Sequence, residues 1–357
     1  GSSIVREVGE GDKAIKEYSA ILALQPGLVE PRRERGRCYL DQNEFGKAME
    51  DFSELIRLKP AVSWYWCDRG WAYMRMGEHA RAIPDLSRSI ELEEGVIPRH
   101  FRGEAYRALG RWDEAEADFT RAIELQPDTE SWHRRGQLYA DEGRWKEAQS
   151  DLARAAELSA DRALVLYQLA LVHLALEDHA GYRQTSAALV ERAAQTQDAE
   201  LAYWAPWTCI LASDCGVEPA RVIARAERVR AGNAGAPDSL LLLGAALYRA
   251  GRFEEAAQRL AEAEAAFVST EKPRGTMAYC QLFLAMAHQR LGHAEQAKNF
   301  FVRAIQTIES PPSGDTQQQA AARLWNRRLT LQLWWQEATA LMEAAAESAP
   351  AEAAIQR

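Results

Sequence analysis

The feature that most constrains the fold of this chain is a sequence repeat with a period of 33 or 34 residues. In each copy a tyrosine follows a glycine by three residues, and an alanine follows the same glycine by 12. The repeated residues are Gly36, Gly70, Gly103 and Gly136, then Tyr39, Tyr73, Tyr106 and Tyr139, and then Ala48, Ala82, Ala115 and Ala148. Units of this length stack side by side, because one unit alone cannot bury its apolar face. The sequence therefore predicts a solenoid.

One copy, residues 29–62, has the pattern of a helical hairpin. Apolar residues at helical spacing run to Leu40, and after a short polar break a second such stretch covers residues 45–58. The small residues Gly36 and Ala48 allow the two helices to approach closely. Each repeat is therefore predicted to be two antiparallel helices.

Charged residues keep the same period. An arginine directly precedes each repeat glycine, and an aspartate follows that arginine by 16 residues. The pairs are Arg35 and Asp51, Arg69 and Asp85, Arg102 and Asp118, and Arg135 and Asp151. One such residue on each helix of every hairpin is typical of an internal ladder of ion pairs. We interpret these eight residues as structural rather than as ligand-binding.

These residues resemble a known repeat family. The fourth copy contains, in order, Trp132, Gly136, Tyr139, Ala148, Leu152 and Ala155. This order resembles the tetratricopeptide repeat (TPR), and the resemblance covers residues 9–160 closely and returns at residues 240–263 and 281–304. It implies an all-α fold, a right-handed superhelical solenoid of antiparallel helix pairs with a C-terminal capping helix.

The pattern predicts six segments. They are an expression-tag scar with a partial first repeat (1–28), four regular repeats (29–162), two degenerate helical hairpins (163–235), two further TPR-like hairpins with an insertion near 268–275 (236–310), a capping helix (317–345) and a disordered tail (346–357). Because the first segment matches the second half of a repeat, we expect a larger parent protein. The capping helix, with Trp325 and Trp334 on one stripe, is expected to cover the last hairpin.

Composition excludes several classes of function. With 43 Lys and Arg against 52 Asp and Glu, the net charge is −9, which disfavours a nucleic-acid partner. Five scattered cysteines favour a reduced, cytoplasmic protein, and the uncharged stretch 201–213 is too short to span a membrane. The motifs of phosphate loops, nucleophile elbows and zinc proteases are missing. We therefore expect no enzyme activity, no cofactor and no metal.

The resemblance implies a partner site on the concave surface made by the first helices. The positions that correspond to it are Arg33, Arg37, Trp64, Trp71, His100, Glu104, His133, Arg134, Gln137 and Tyr167. We expect tryptophan to anchor the partner and arginine to select acidic residues. Residues 64–66 are all aromatic and cannot share one buried stripe, so at least one of them should be exposed. The implied partner is a protein or peptide with acidic or aromatic residues.

The second half has a weaker resemblance. The segments Leu241–Phe253 and Phe283–His288 resemble C-terminal TPR regions of large bacterial signalling proteins, which often carry a serine/threonine kinase or WD40 domain upstream. The resemblance implies a noncatalytic scaffold that is a regulatory part of a larger signalling protein.

Two other functions stay open at this point. The N-terminal end and the helix with Trp334 and Trp335 could join copies of the chain into dimers or filaments. Alternatively, the degenerate middle could form a pocket for a small-molecule sensor or an enzyme accessory domain. Such a pocket would be lined by Tyr203, Trp204, Trp207, Cys209 and Cys215.

Overall fold

The computed structural model describes residues 2–159, 162–233, 236–269, 277–309 and 324–355. This part of the chain is all-α, with eighteen helices and no strand, consistent with the predicted α solenoid. It folds into two compact units, an N-terminal unit that ends at Leu138 and a C-terminal unit that begins at Tyr139. None of the described helices combines the length and apolar character needed to cross a membrane.

The N-terminal unit is a row of antiparallel helix pairs. Its helices are α1 (Ser2–Leu24), α2 (Glu30–Asp41), α3 (Phe45–Leu58), α4 (Ser63–Arg75), α5 (His79–Leu92), α6 (Val96–Ala108), α7 (Trp112–Leu125) and the first part of α8 (Thr129–Asp141). The hairpins are α2 with α3, α4 with α5, and α6 with α7, and α1 packs on α2. The first helices α2, α4 and α6 also contact one another in order, so they form one surface.

Two glycines show why the repeat needs this residue. A Cβ added at Gly103 would lie 2.6 Å from a ring carbon of Phe119, closer than side-chain contacts allow. The missing side chain therefore lets α6 and α7 meet at their crossing. Gly77, at the turn between α4 and α5, has φ of 75°, a left-handed conformation that glycine adopts without strain.

Buried ion pairs join the helices of each hairpin in the N-terminal unit. Arg69 donates from Nε and Nη2 to both carboxylate oxygens of Asp85, at 2.6 and 2.8 Å. Arg35 binds Asp51 and Arg102 binds Asp118 in the same bidentate way. Arg135 and Asp151 belong to different units.

The same arginines also bind the preceding hairpin, which the sequence analysis did not predict. Each donates from Nη1 to a hydroxyl at 2.9 to 3.3 Å. The acceptors are Ser19, Ser53, Ser87 and Thr120, which recur with the repeat period. Arg35, Arg69 and Arg102 therefore fix both the pairing within a hairpin and the register between hairpins.

The C-terminal unit contains four complete hairpins and a long final helix. After α8 its helices are α9 (Trp145–Leu158), α10 (Ala163–Ala175), α11 (His179–Gln195), α12 (Ala199–Cys209), α13 (Pro219–Gly232), α14 (Pro237–Arg249), α15 (Phe253–Ser269), α16 (Met277–Arg290), α17 (Ala294–Glu309) and α18 (Trp325–Ile355). The first helices α10, α12, α14 and α16 contact one another in order.

The two ends of the chain differ from the predicted segments, and two other boundaries fall on residues that the structure does not describe. Helix α1 is continuous from Ser2, so the expected tag scar is helical apart from Gly1, which lies outside the described residues. The insertion near 268–275 and the start of the expected helix at 317 fall mainly on residues that the structure does not describe. The tail expected to be disordered is helical up to Ile355, because its alanine and glutamate residues favour a helix.

Candidate functional site

The first helices of the N-terminal unit carry an aromatic surface. Trp64 and Trp71 are seven residues apart on α4, so they lie on one side of the helix. Trp64 is 41% exposed, whereas Tyr65 is buried. Trp71 stacks on Phe101 of α6 with ring centroids 4.5 Å apart. The sequence analysis missed Phe101, although a large apolar residue two positions before the repeat glycine on a first helix is a usable signal.

Charged pairs border this aromatic surface. The Nε of Arg33 donates to Asp68 at 2.6 Å, and the guanidinium lies 6.0 Å from the Trp64 ring centroid. Arg134 contacts the carboxylates of Glu104 at 3.0 Å and Glu130 at 2.8 Å. Both arginines are therefore already neutralised by carboxylates, which the sequence analysis did not foresee.

Arg37 is the predicted groove arginine with the weakest pairing. It lies 3.7 Å from Glu34, and its side chain is 55% exposed. An exposed pair at this distance contributes little stability and leaves the guanidinium accessible. Together, these contacts across α2, α4, α6 and α8 define what we call the N-terminal face: Arg33, Arg37, Trp64, Asp68, Trp71, Phe101, Glu104 and Arg134.

The two predicted histidines lie under this face rather than on it. His100 and His133 are each 6% exposed. His100 Nε2 lies 2.9 Å from the Ser131 hydroxyl, and burial together with the charge of Arg134 lowers the pKa of His100 to about 4. His133 Nε2 lies 3.0 Å from the Gln137 amide nitrogen. His100 joins α6 to α8, and neither buried histidine is available to a partner.

Tyr167, the last predicted groove residue, belongs to the C-terminal unit and is covered. It is 6% exposed, its ring lies 4.5 Å from that of Trp204, and its hydroxyl is 3.1 Å from Thr330 Oγ1 of α18. Burial raises the pKa of Tyr167 to about 12. The residue therefore holds α18 and cannot contact an external partner while α18 is in place.

Helix α18 does not only cap the last hairpin, as the sequence analysis expected. It contacts both α10 and α16, the two ends of the row of first helices, so this row curves around it. Trp325 lies 6.2 Å from Trp145 of α9, and Trp335 stacks on Phe301 of α17 at 5.0 Å. The surface that the resemblance assigns to a partner is occupied in this unit by the chain's own helix.

Trp334 lies on the side of α18 opposite Trp325 and is the more deeply buried of the two. Trp334 is fully buried, with its ring 4.8 Å from Tyr279 and 4.9 Å from Phe283 of α16. Its indole nitrogen donates to the Leu211 carbonyl at 3.2 Å. The Tyr279 hydroxyl in turn donates to the main-chain carbonyl of Arg327 at 3.0 Å. Trp334 is therefore not available for the contact between copies that the self-assembly alternative required.

An ion pair completes the contact with α18. Arg249 of α14 donates from Nη2 to Glu337 at 2.8 Å and from Nε to the Ile210 carbonyl at 3.0 Å. The Arg249 side chain is 7% exposed. We call the set that binds α18 the C-terminal face: Tyr167, Arg249, Tyr279 and Phe283.

The aromatic residues expected to line a pocket in the degenerate middle pack on one another instead. Tyr203 lies 5.3 Å from Trp204 and 6.1 Å from Trp207. Cys209 and Cys215 are buried and hydrogen-bonded to each other, which raises the pKa of Cys209 well above its usual value and lowers that of Cys215. In the described residues no three histidine, cysteine or acidic side chains are grouped as a metal site requires.

Sequence comparison identifies the repeats. Models of the tetratricopeptide repeat match residues 5–63, 65–95, 100–129, 129–162, 237–266 and 278–301. These segments cover more than half of the 357 residues. The matches stop at residue 162 and resume at 237, and the residues between them include the hairpins expected to be degenerate. No curated protein sequence matches the chain significantly.

Comparison with solved structures found several partly similar chains. A tetratricopeptide repeat protein from Parabacteroides merdae is 17% identical, with 72% of this chain and 98% of that chain covered and a TM-score of 0.49. PilW, a type IV pilus biogenesis factor, is 18% identical, with coverages of 54% and 90% and a TM-score of 0.49. MamA is 25% identical, with coverages of 44% and 94% and a TM-score of 0.41.

Proposed function

Because the chain belongs to the tetratricopeptide repeat family, whose members bind peptides or proteins, we propose that it is a noncatalytic interaction scaffold whose partner binds the N-terminal face. The scaffold positions its partner and performs no chemistry on it. We further propose that it works in the cytoplasm as the regulatory part of a larger signalling protein.

The observation that carries this proposal is the uncovered aromatic surface of α4 and α6. Trp64 is exposed, and the stacked pair of Trp71 and Phe101 offers a second, rigid contact area. Among the described residues of the N-terminal unit, no further helix packs across α2, α4 and α6. Large aromatic side chains that are held rigidly lose little entropy on binding and are frequent anchors of interfaces.

The charges of the N-terminal face limit the kind of partner. A partner carboxylate that approached Arg33 would have to replace Asp68, and one that approached Arg134 would compete with two glutamates. Such an exchange of one carboxylate for another brings little net free energy. We therefore propose a partner that contributes aromatic or apolar side chains to Trp64 and Trp71, with an acidic residue only opposite the exposed Arg37.

The experiment is a selection of peptides from a random display library on the full chain, followed by titration of a selected peptide against variants. We expect Trp71→Ala to weaken binding by about tenfold or more, the loss typical of an anchor residue. Adding Arg37→Glu should weaken acidic peptides further and leave neutral peptides unchanged. Fluorescence anisotropy of the labelled peptide measures both effects.

Trp66→Ala is the matched control on the same helix. The ring of Trp66 lies 5.2 Å from the Arg69 guanidinium, and its indole nitrogen donates to the Pro60 carbonyl at 2.9 Å, so it has a structural partner. We expect this variant to bind peptides within threefold of the unmodified chain. Full binding by Trp71→Ala, with helical content retained in circular dichroism, would contradict the assignment.

A further inference from the structure

We propose that the C-terminal face is a second recognition site, specific for an amphipathic helix, and that α18 is a ligand held there in cis. The competing partner is a helix with an aromatic anchor and an acidic residue three positions after it, as in Trp334 and Glu337. This goes beyond the proposed function, which concerns the N-terminal face.

The pattern of buried residues on α18 is that of a ligand helix. Thr330, Trp334 and Ala338 are buried and four positions apart, so they form one stripe, while Gln332 and Gln336 on the other side are exposed. Trp325 precedes Trp334 by nine positions, about two and a half turns, so it points away from this stripe and packs on Trp145 of α9 instead. An amphipathic helix that lies in a groove binds through such a stripe.

The residues that contact α18 come from several separate elements. The Tyr279 hydroxyl binds a main-chain carbonyl of α18, and Tyr167 contacts the Thr330 hydroxyl. The Leu211 carbonyl accepts from the Trp334 indole. These elements are distant in sequence, and they form hydrogen bonds with both the main chain and the anchor side chains of α18. Such a set of contacts is typical of a binding site for a helix.

Arg249 gives the site its charge specificity. Its Nε donates to the Ile210 carbonyl at 3.0 Å, and its guanidinium lies 5.4 Å from the Phe283 ring centroid, so it is held without help from α18. The remaining donors point at Glu337. A buried cation that is fixed in this way strongly favours a ligand with a carboxylate at the matching position and disfavours one with a cation there.

The tethered α18 must reduce binding of any external helix. A ligand in the same chain competes at an effective concentration on the order of 1 mM. A helix that binds the free face with micromolar affinity would then bind the intact chain about 1,000-fold more weakly. The C-terminal face is therefore closed by default and opens to a partner only when the cis contact is weakened.

The test uses full-length chains and a labelled synthetic peptide of residues 325–345. Glu337→Arg in the chain places a cation opposite Arg249 and weakens the cis contact while leaving the C-terminal face intact. We expect this chain to bind the unmodified peptide at least tenfold more tightly than the unmodified chain does. A peptide that itself carries Glu337→Arg or Trp334→Ala should bind this chain at least tenfold more weakly.

The reciprocal variant tests the charge. Arg249→Glu in the chain should reverse the preference, so that the peptide with Glu337→Arg binds about tenfold more tightly than the unmodified peptide. Trp71→Ala should not change either result, which separates this site from the N-terminal face.

Three results would overturn the proposal. The first is a folded Glu337→Arg chain that binds no peptide. The second is an Arg249→Glu chain without the reversed preference. The third is the failure of both variant chains to fold, since α18 would then be an inseparable part of the core.

Discussion

The two units of this protein use the same helical hairpin to build two different surfaces. In the N-terminal unit, α2 buries only Gly36 and Leu40, and its remaining side chains form ion pairs or reach solvent. In the C-terminal unit, α14 buries every residue from Ser239 to Tyr248, because α12, α13, α15 and α16 pack around it, and Arg249 at its end pairs with Glu337 of α18. A first helix that is apolar on all sides has a partner on its inner side.

The two units also differ in the contact made by the residue three positions before the repeat glycine. In the third repeat this position is His100, which contacts Ser131 of the following first helix. The corresponding residue of the first degenerate hairpin is Tyr167, which contacts Thr330 of α18. One register position therefore connects hairpins in one unit and holds an inserted helix in the other.

The largest expected difference concerns two tryptophans on the two faces. Trp334→Ala should lower the free energy of unfolding by about 3–5 kcal/mol, since it empties a fully buried site between two aromatic rings. Trp64→Ala should change the free energy of unfolding by about 0.5 kcal/mol or less, because the ring is exposed and its removal leaves no cavity in the core. Urea denaturation monitored by circular dichroism measures both. Equal losses in the two variants would remove the distinction between an occupied and an open face.

Much of the fold follows from the sequence because the repeat period records local contacts. Gly36 and Ala48 recur at a fixed offset, and so do Arg35 and Asp51, so each pair can be placed on one hairpin without coordinates. The hydroxyls that bind the ladder arginines, such as Ser53, recur too and could have been found in the same way.

The occupied C-terminal face also left a signal in the sequence. The run Leu240–Leu243 and the apolar stretch of α16 have no polar side, which predicts a cover on both sides. The identity of that cover could not be predicted, because the pairing of Arg249 with Glu337 joins residues 88 positions apart. The pairing of Arg33 with Asp68 was missed for a similar reason, since no periodic pattern marks it.

A second prediction replaces one ion pair of the ladder with the residues that the first degenerate hairpin has at the same two positions. Asp85→Thr should destabilise the chain by about 2 kcal/mol, because it leaves the Arg69 guanidinium without its carboxylate. Adding Arg69→Leu reproduces the residues of the degenerate hairpin, Leu169 and Thr185, at these two positions. We expect the double variant to recover at least half of the loss, because a hydrophobic pair can replace a buried ion pair.

Urea denaturation of the two single variants and the double variant tests this coupling. Arg69→Leu alone is the matched control, since it leaves Asp85 buried without its cation. If the losses of the two single variants simply add in the double variant, Arg69 and Asp85 are not coupled. The ion pairs of the ladder would then not be an energetic difference between the two units.

The smallest expected effect is a pH dependence of the free energy of unfolding, and it comes from His100. The pKa of His100 is lowered to about 4 by burial and by Arg134, whereas an unfolded histidine titrates near 6.5. Between these values the unfolded chain takes up a proton that the folded chain does not, so stability is lost as the pH falls below about 6.5. The loss should be about 1 kcal/mol for each pH unit.

His100→Gln isolates this contribution, because glutamine can still reach Ser131 but does not titrate. Between pH 7 and pH 5 we expect its free energy of unfolding to fall by about 1.5–2 kcal/mol less than that of the unmodified chain. Tyr167→Phe is the matched change in the C-terminal unit. The pKa of Tyr167 is raised to about 12, so this substitution should cost the same at both pH values. If His100→Gln and the unmodified chain lose stability equally on acidification, His100 is protonated in the folded state and does not have the buried, neutral role assigned to it.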